Sequence, residues 1–169
     1  MSNPGHNRIL YGSELTLPTP IVLKAGLIDL IFQDGMIRQI TFDTIPVCNR
    51  IYFALRDRHW NTIPGSFTII QQSIDSSGFK LTFKGMYSQG DINLESTFDL
   101  HGRSSGELTF SFKAVARSSF YRNRIGFCTL LPINQCTGKK YRVIQSDNSS
   151  IESIFPEQIA PRQPLLDIK

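Results

Sequence analysis

The sequence predicts an all-β protein built as an antiparallel β-sandwich. Three observations carry that expectation. Segments such as GFKLTFKG, DINLESTFDL and ELTFSFKA alternate apolar and polar residues with period two, the signature of strands with one buried and one wet face. Twelve Phe and five Tyr, with many Ile and Thr, favour extended structure. No segment of about eleven residues or more carries a helical period.

Taken in order, GLIDLIFQ places Ile28, Leu30 and Phe32 on one face, and Asp34-Gly35 supplies hairpin chemistry because both residues tolerate positive φ. MIRQITF follows with Met36, Ile40 and Phe42 on one face and Ile37, Gln39 and Thr41 on the other. VCNRIYFALRDR is denser in apolar residues and reads as a more central strand. SFTIIQQSI then leads through Ser-Ser-Gly into GFKLTFKG, with Phe79, Leu81 and Phe83 inward and Lys80, Thr82 and Lys84 outward. In the next strand Ile92, Leu94, Phe98 and Leu100 point in, and Asn93, Glu95, Thr97 and Asp99 point out. Lysines of one strand are expected across from acids of the next. After the turn HGRSSG, Leu108, Phe110 and Phe112 continue the buried face. RIGFCTLLP and KYRVIQS read as further strands. The prolines of FPEQIAPRQPLLDIK exclude a central ladder, so residues 156–169 are expected as an edge segment or connector after a single sandwich domain at 1–155. The apolar run LLDI at its end fits a domain cut from a longer protein, or a tail docked on the sheet.

Composition narrows the function. At 169 residues, with 40% hydrophobic and 19% charged residues, the chain is an ordinary globular domain. The formal charge of +4 is mild, and lysines alternate with acids rather than forming a basic stripe, so no nucleic-acid partner is expected. Nothing approaches a membrane-spanning apolar stretch, and MSNPGHNRIL lacks a signal-peptide pattern, so no membrane partner and a cytoplasmic location are expected. Three cysteines without CxxC spacing argue against a disulfide or zinc scaffold. His6, His59 and His101 stand apart from any ligand spacing, so neither a metal nor another cofactor is expected. Nucleophile-elbow, P-loop, dinucleotide and HExxH patterns are missing.

Three constellations carry what chemistry there is. RDRHWNTIPG gathers Arg56, Asp57, Arg58, His59 and Trp60 after an apolar strand. An indole face can stack on a sugar ring while Arg and Asp bind vicinal hydroxyls; an Arg–Asp pair closing the rim, with Trp60 capping the core, is the structural alternative. YSQGDINLES offers Asp91 and Glu95 as paired carboxylates, or as ordinary solvated charges on a polar face. SSFYRNRIGFC places Arg122 and Arg124 two apart, hence on one face of a strand, with Asn123 between them and Phe120 beside them. Paired guanidiniums suit a carboxylate or phosphate, and equally an internal partner such as Asp57 or Asp91.

LYGSELTLP, RIYFALRDRHWNTIP, QGDI, SFYRNRIGFCTLLPI and FPEQIAPRQPLLDI together resemble the N-terminal portion of the D-apionate lactonase family, from about residue 8 to the C-terminus. The resemblance implies a β-rich domain followed, in longer family members, by a TIM-barrel-like domain that carries lactone hydrolysis on a branched sugar acid. It implies a sugar acid or sugar lactone as ligand, a covalent or docked barrel as partner, and a non-catalytic role for this chain. A stand-alone sugar-binding or sugar-lactone-converting module and a pure protein-interaction domain are the alternatives. By fold analogy, a galactose-mutarotase-like supersandwich, or part of one, is the expected architecture. The family pattern also leads one to expect histidines where this chain has Leu131 and Arg162.

Overall fold

A computed structural model of the chain describes residues 18–158, together with Gly5, Arg8, Ile9 and Glu14. Strand β1 (Ile21–Ala25) turns back into β2 (Ile28–Gln33), and Asp34-Gly35 joins β2 to β3 (Met36–Phe42). Asp34 at φ 50° and Gly35 at φ 70° both occupy the left-handed region, and Gln33 pairs with Met36. This is the two-residue hairpin turn whose twist matches the strands it joins.

Strand β3 departs from simple alternation. Ile37 and Ile40, three residues apart, are both buried, whereas Phe42 is exposed. The cause is a bulge: Asp29 and Ile31 of β2 pair with Thr41 and Arg38, leaving β3 with one extra residue, and Gln39 takes φ 52°. An inserted residue shifts the inward parity by one. The expected shared face of Met36, Ile40 and Phe42 is therefore corrected to Ile37 and Ile40.

Strand β4 (Ile45–Asp57) lies between β3 and β9 (Arg122–Leu130), which closes a five-stranded antiparallel sheet in the order β1-β2-β3-β4-β9. The apolar density of VCNRIYFALRDR thus corresponds to an interior strand. A second antiparallel sheet runs β5 (Gly65–Asp75), β6 (Gly78–Gln89), β7 (Ile92–Arg103) and β8 (Leu108–Ala116) in sequence order. Here alternation holds: Phe79, Leu81, Phe83, Ile92, Leu94, Phe98 and Leu100 are buried. The outward residues pair differently from expectation. Lys80 faces His101 and Lys84 faces Thr97, while the Thr82 hydroxyl donates to Asp99 at 2.7 Å.

The inner faces of both sheets merge in one aromatic core. Phe53 of β4 meets the rings of Tyr87, Phe98, Phe112 and Phe127, and Phe83 stacks on Phe98 at 4.8 Å. Phe120 joins this core rather than standing beside the arginines that follow it. Gly85 gives the rings their room, since a Cβ there would lie 2.9 Å from the Phe98 ring. Beyond β9 come a single helical turn, α1 (Ile133–Cys136), and a separate hairpin of β10 (Lys140–Ile144) and β11 (Ser150–Ile154). All three cysteines are free thiols. Among the described residues no helix is long and apolar enough to cross a membrane. Arg162 and LLDI lie outside the described residues.

Candidate functional site

At the end of β4 the ladder with β9 slips. Arg56 pairs with Arg124 and Asp57 with Arg122, so Asn123 is the extra residue. Beyond this point the chain folds into a tight loop organised by Asp57. Its carboxylate accepts the backbone N–H of His59 at 2.8 Å, the backbone N–H of Asn61 at 2.9 Å and the Asn61 side-chain amide at 2.9 Å. These bonds, led by the Asn61 amide, hold the Asp57 carboxyl below the usual carboxylate range.

Asp57 is thereby committed to its own loop and forms no ion pair with either arginine. The expected internal Arg–Asp bridge is absent among the described residues. Arg122 is exposed, and no acid among those residues lies within ion-pair distance of it. Arg124 instead lies over the indole of Trp60 at 5.8 Å, and its Nη1 donates to Cys128 Sγ at 3.3 Å. Trp60 takes φ 69° and is 58% exposed, so it is a rim residue and not a cap on the core. Ile63, buried two residues before β5 with its N–H donated to the Leu55 carbonyl at 3.0 Å, fills that place.

The turn between β6 and β7 approaches from the other sheet. Gly90, at φ 61°, lets the chain reverse between Gln89 and Asp91. Ser118 pins this turn from the β8–β9 connection. Its hydroxyl donates to the Asp91 carbonyl at 2.7 Å and accepts the Asn93 N–H at 3.0 Å. Glu95 is drawn elsewhere, into a 2.7 Å ion pair with Arg117 that lowers its pKa. Of the two readings offered for these carboxylates, paired or solvated on the polar face, Glu95 fits the second: it does not line the site.

These segments enclose a cleft of about 320 Å³ whose walls are Asp57, Arg58, His59, Gly90, Asp91 and Tyr121, with Ile63 and Ile92 below. Arg58 Nε donates to His59 Nε2 at 2.9 Å, which in a neutral imidazole leaves the proton on Nδ1. Asn123 braces the wall by donating from Nδ2 to the Arg58 carbonyl at 3.4 Å. Of the residues singled out from sequence, Asp57, Arg58, His59 and Asp91 line the cleft. Arg56, Trp60, Arg122, Asn123 and Arg124 do not line it. Tyr121, 76% exposed, and Ser118 were not anticipated. Strand alternation could not have found the tyrosine, because it lies in the connection between β8 and β9.

A guanidinium, carboxylates, an imidazole and a phenol line the cleft and can meet hydroxyls or a carboxylate. The D-apionate lactonase N-terminal domain family matches residues 8–169. The chain belongs to that family. A D-apionate lactonase of Brucella anthropi is 34% identical to this D-apionate lactonase N-terminal domain over 163 residues. The aligned region is 95% of the chain but only 27% of the relative's length. No solved structure matches this lactonase N-terminal domain, and the galactose-mutarotase likeness stays a fold analogy.

Proposed function

We propose that this chain is the non-catalytic N-terminal β-sandwich domain of a D-apionate lactonase-like hydrolase, and that its cleft forms part of a sugar-acid or sugar-lactone pocket. We assign residues 1–155 to this domain and 156–169 to a connector toward a following, TIM-barrel-like catalytic domain; the whole acts in the cytoplasm. The observation that carries the pocket reading is the convergence of Asp57–His59, Gly90–Asp91 and Tyr121 on one cleft. Arg58 is the cationic partner for a sugar carboxylate, Asp91 an acceptor for hydroxyls, and Tyr121 an aromatic face for the ring.

Two measurements test this. In a pH-stat assay with apionolactone, the isolated chain is expected to show no turnover above the uncatalysed rate. Clear turnover would sink the accessory-domain reading in favour of a stand-alone converting enzyme. Titration calorimetry with D-apionate should give binding that Arg58→Ala and Tyr121→Ala each weaken about tenfold, roughly 1.4 kcal/mol. Binding indifferent to both substitutions would remove the cleft from the sugar pocket.

The stand-alone binding module is the second reading. It predicts the same affinity for the isolated chain as for the full-length protein.

A further inference from the structure

Strand β11 is exposed at all five of its residues, two of them isoleucines. It pairs with β10 from Lys140↔Ile154 to Ile144↔Ser150, and this two-stranded ladder joins neither sheet of the sandwich. Val143 is the one buried residue of the hairpin. A two-stranded hairpin is marginal by itself and needs a further layer. Residues directly opposite share a face. One face therefore carries Arg142 and Glu152, ion-paired at 2.6 Å, between Ile144 and Ile154, which are 51% and 57% exposed. A shallow hollow of about 600 Å³ at this end of the hairpin is lined by Lys140, Arg142, Glu152 and Ile154 of that face and by Tyr141 and Ser153 of the other.

We infer that this face of the β10–β11 hairpin is the docking surface for the domain that follows in longer relatives. The inference rests on the accessory-domain reading but uses a surface separate from the cleft. The occupant is identified by chain order. The Brucella anthropi relative aligns with this chain over 27% of its length, and the matching family is an N-terminal domain, so the rest of that relative follows the aligned region. Among the described residues the hairpin is the last regular element of that region. An ion pair flanked by isoleucines has the mixed character of contacts between domains of one chain. The partner face should be apolar with a polar spot for Arg142 and Glu152. The cleft and this face share no lining residue.

Amide hydrogen exchange tests the inference. The 169-residue chain is compared with the same chain fused to the remainder of the Brucella anthropi lactonase. Amides of residues 140–154 should exchange roughly tenfold or more slowly in the fusion, whatever happens at residues 57–61. Unchanged exchange at 140–154 would overturn the inference, even if the cleft became protected. Protection of the hairpin in the isolated chain that grows with its concentration would also overturn it, by showing a second copy as the occupant. Should the fusion not fold, the natural full-length relative against its own N-terminal portion gives the same comparison at the aligned hairpin, with the same two outcomes. Loss of sugar binding with hairpin protection intact would count against the pocket reading alone.

Discussion

The guanidinium carbon of Arg124 lies 5.8 Å from the centroid of the Trp60 ring. That contact joins the start of β9 to a loop whose tip holds a bulky residue in left-handed backbone, a conformation that needs support from its surroundings. Trp60 is the chain's one tryptophan, so its fluorescence reports the contact directly. Arg124→Ala should increase acrylamide quenching and lower stability by roughly 0.5–1 kcal/mol in urea melts. Unaltered quenching would show that the loop holds the indole without the guanidinium.

Asp57 should make stability acid-sensitive. Its folded-state pKa lies below its unfolded value, chiefly because the Asn61 amide donates to it. Its stabilisation is therefore complete above the unfolded value, near about pH 4, and is lost as pH falls through the folded one. Thermal melts from about pH 5 to about pH 2.5 should decline more steeply for the natural chain than for Asp57→Ala. Parallel declines would place the carboxylate's contribution outside the loop.

Phe98 is fully buried, stacks on Phe83 and touches Phe53, Phe110 and Phe112. Phe98→Ala should cost roughly 3–5 kcal/mol, measured as a shift of the urea midpoint. A loss under about 1.5 kcal/mol would mean that the neighbouring rings collapse into the space.

Gln39 pays for the β3 bulge with a left-handed backbone. Gln39→Gly should raise stability by roughly 0.5–1 kcal/mol, strain relief outweighing the added chain entropy, whereas Gln39→Val should lower it. Opposite signs in urea melts would show that the Gln39 side chain, rather than its backbone, matters.

Tyr87 is 2% exposed, and its hydroxyl meets no partner among the described residues. Burial first, and then the charge of Asp34, push its phenol pKa far upward. Tyr87→Phe should be neutral or stabilising by up to roughly 1–2 kcal/mol in thermal melts. Destabilisation would reveal a hydrogen bond made through solvent.

The sandwich was legible where alternation ran unbroken, as from Phe79 to Phe83 and from Ile92 to Leu100. It failed at MIRQITF, because nothing in a Gln marks the left-handed residue that shifts Ile37 inward; Gly or Asn there would have. The site was legible in pieces only. RDRH and QGD stood out as separate polar clusters, but their meeting depends on the end of β4 and the β6–β7 turn facing one another across two sheets. Ser118 left no trace because its partners are backbone atoms, the Asp91 carbonyl and the Asn93 amide. The arginine–aspartate bridge failed for a local reason. Donors two and four residues away reach Asp57 without ordering long side chains.

The cleft has one wall from each sheet: Asp57 closes β4 in the five-stranded layer, and Asp91 stands in the turn just before β7 of the four-stranded one. A molecule seated there acts as a mortise between the two layers. Separating the sandwich would require expelling it, so occupancy adds RT ln(1 + [L]/Kd) to the stability of the whole domain rather than of one loop.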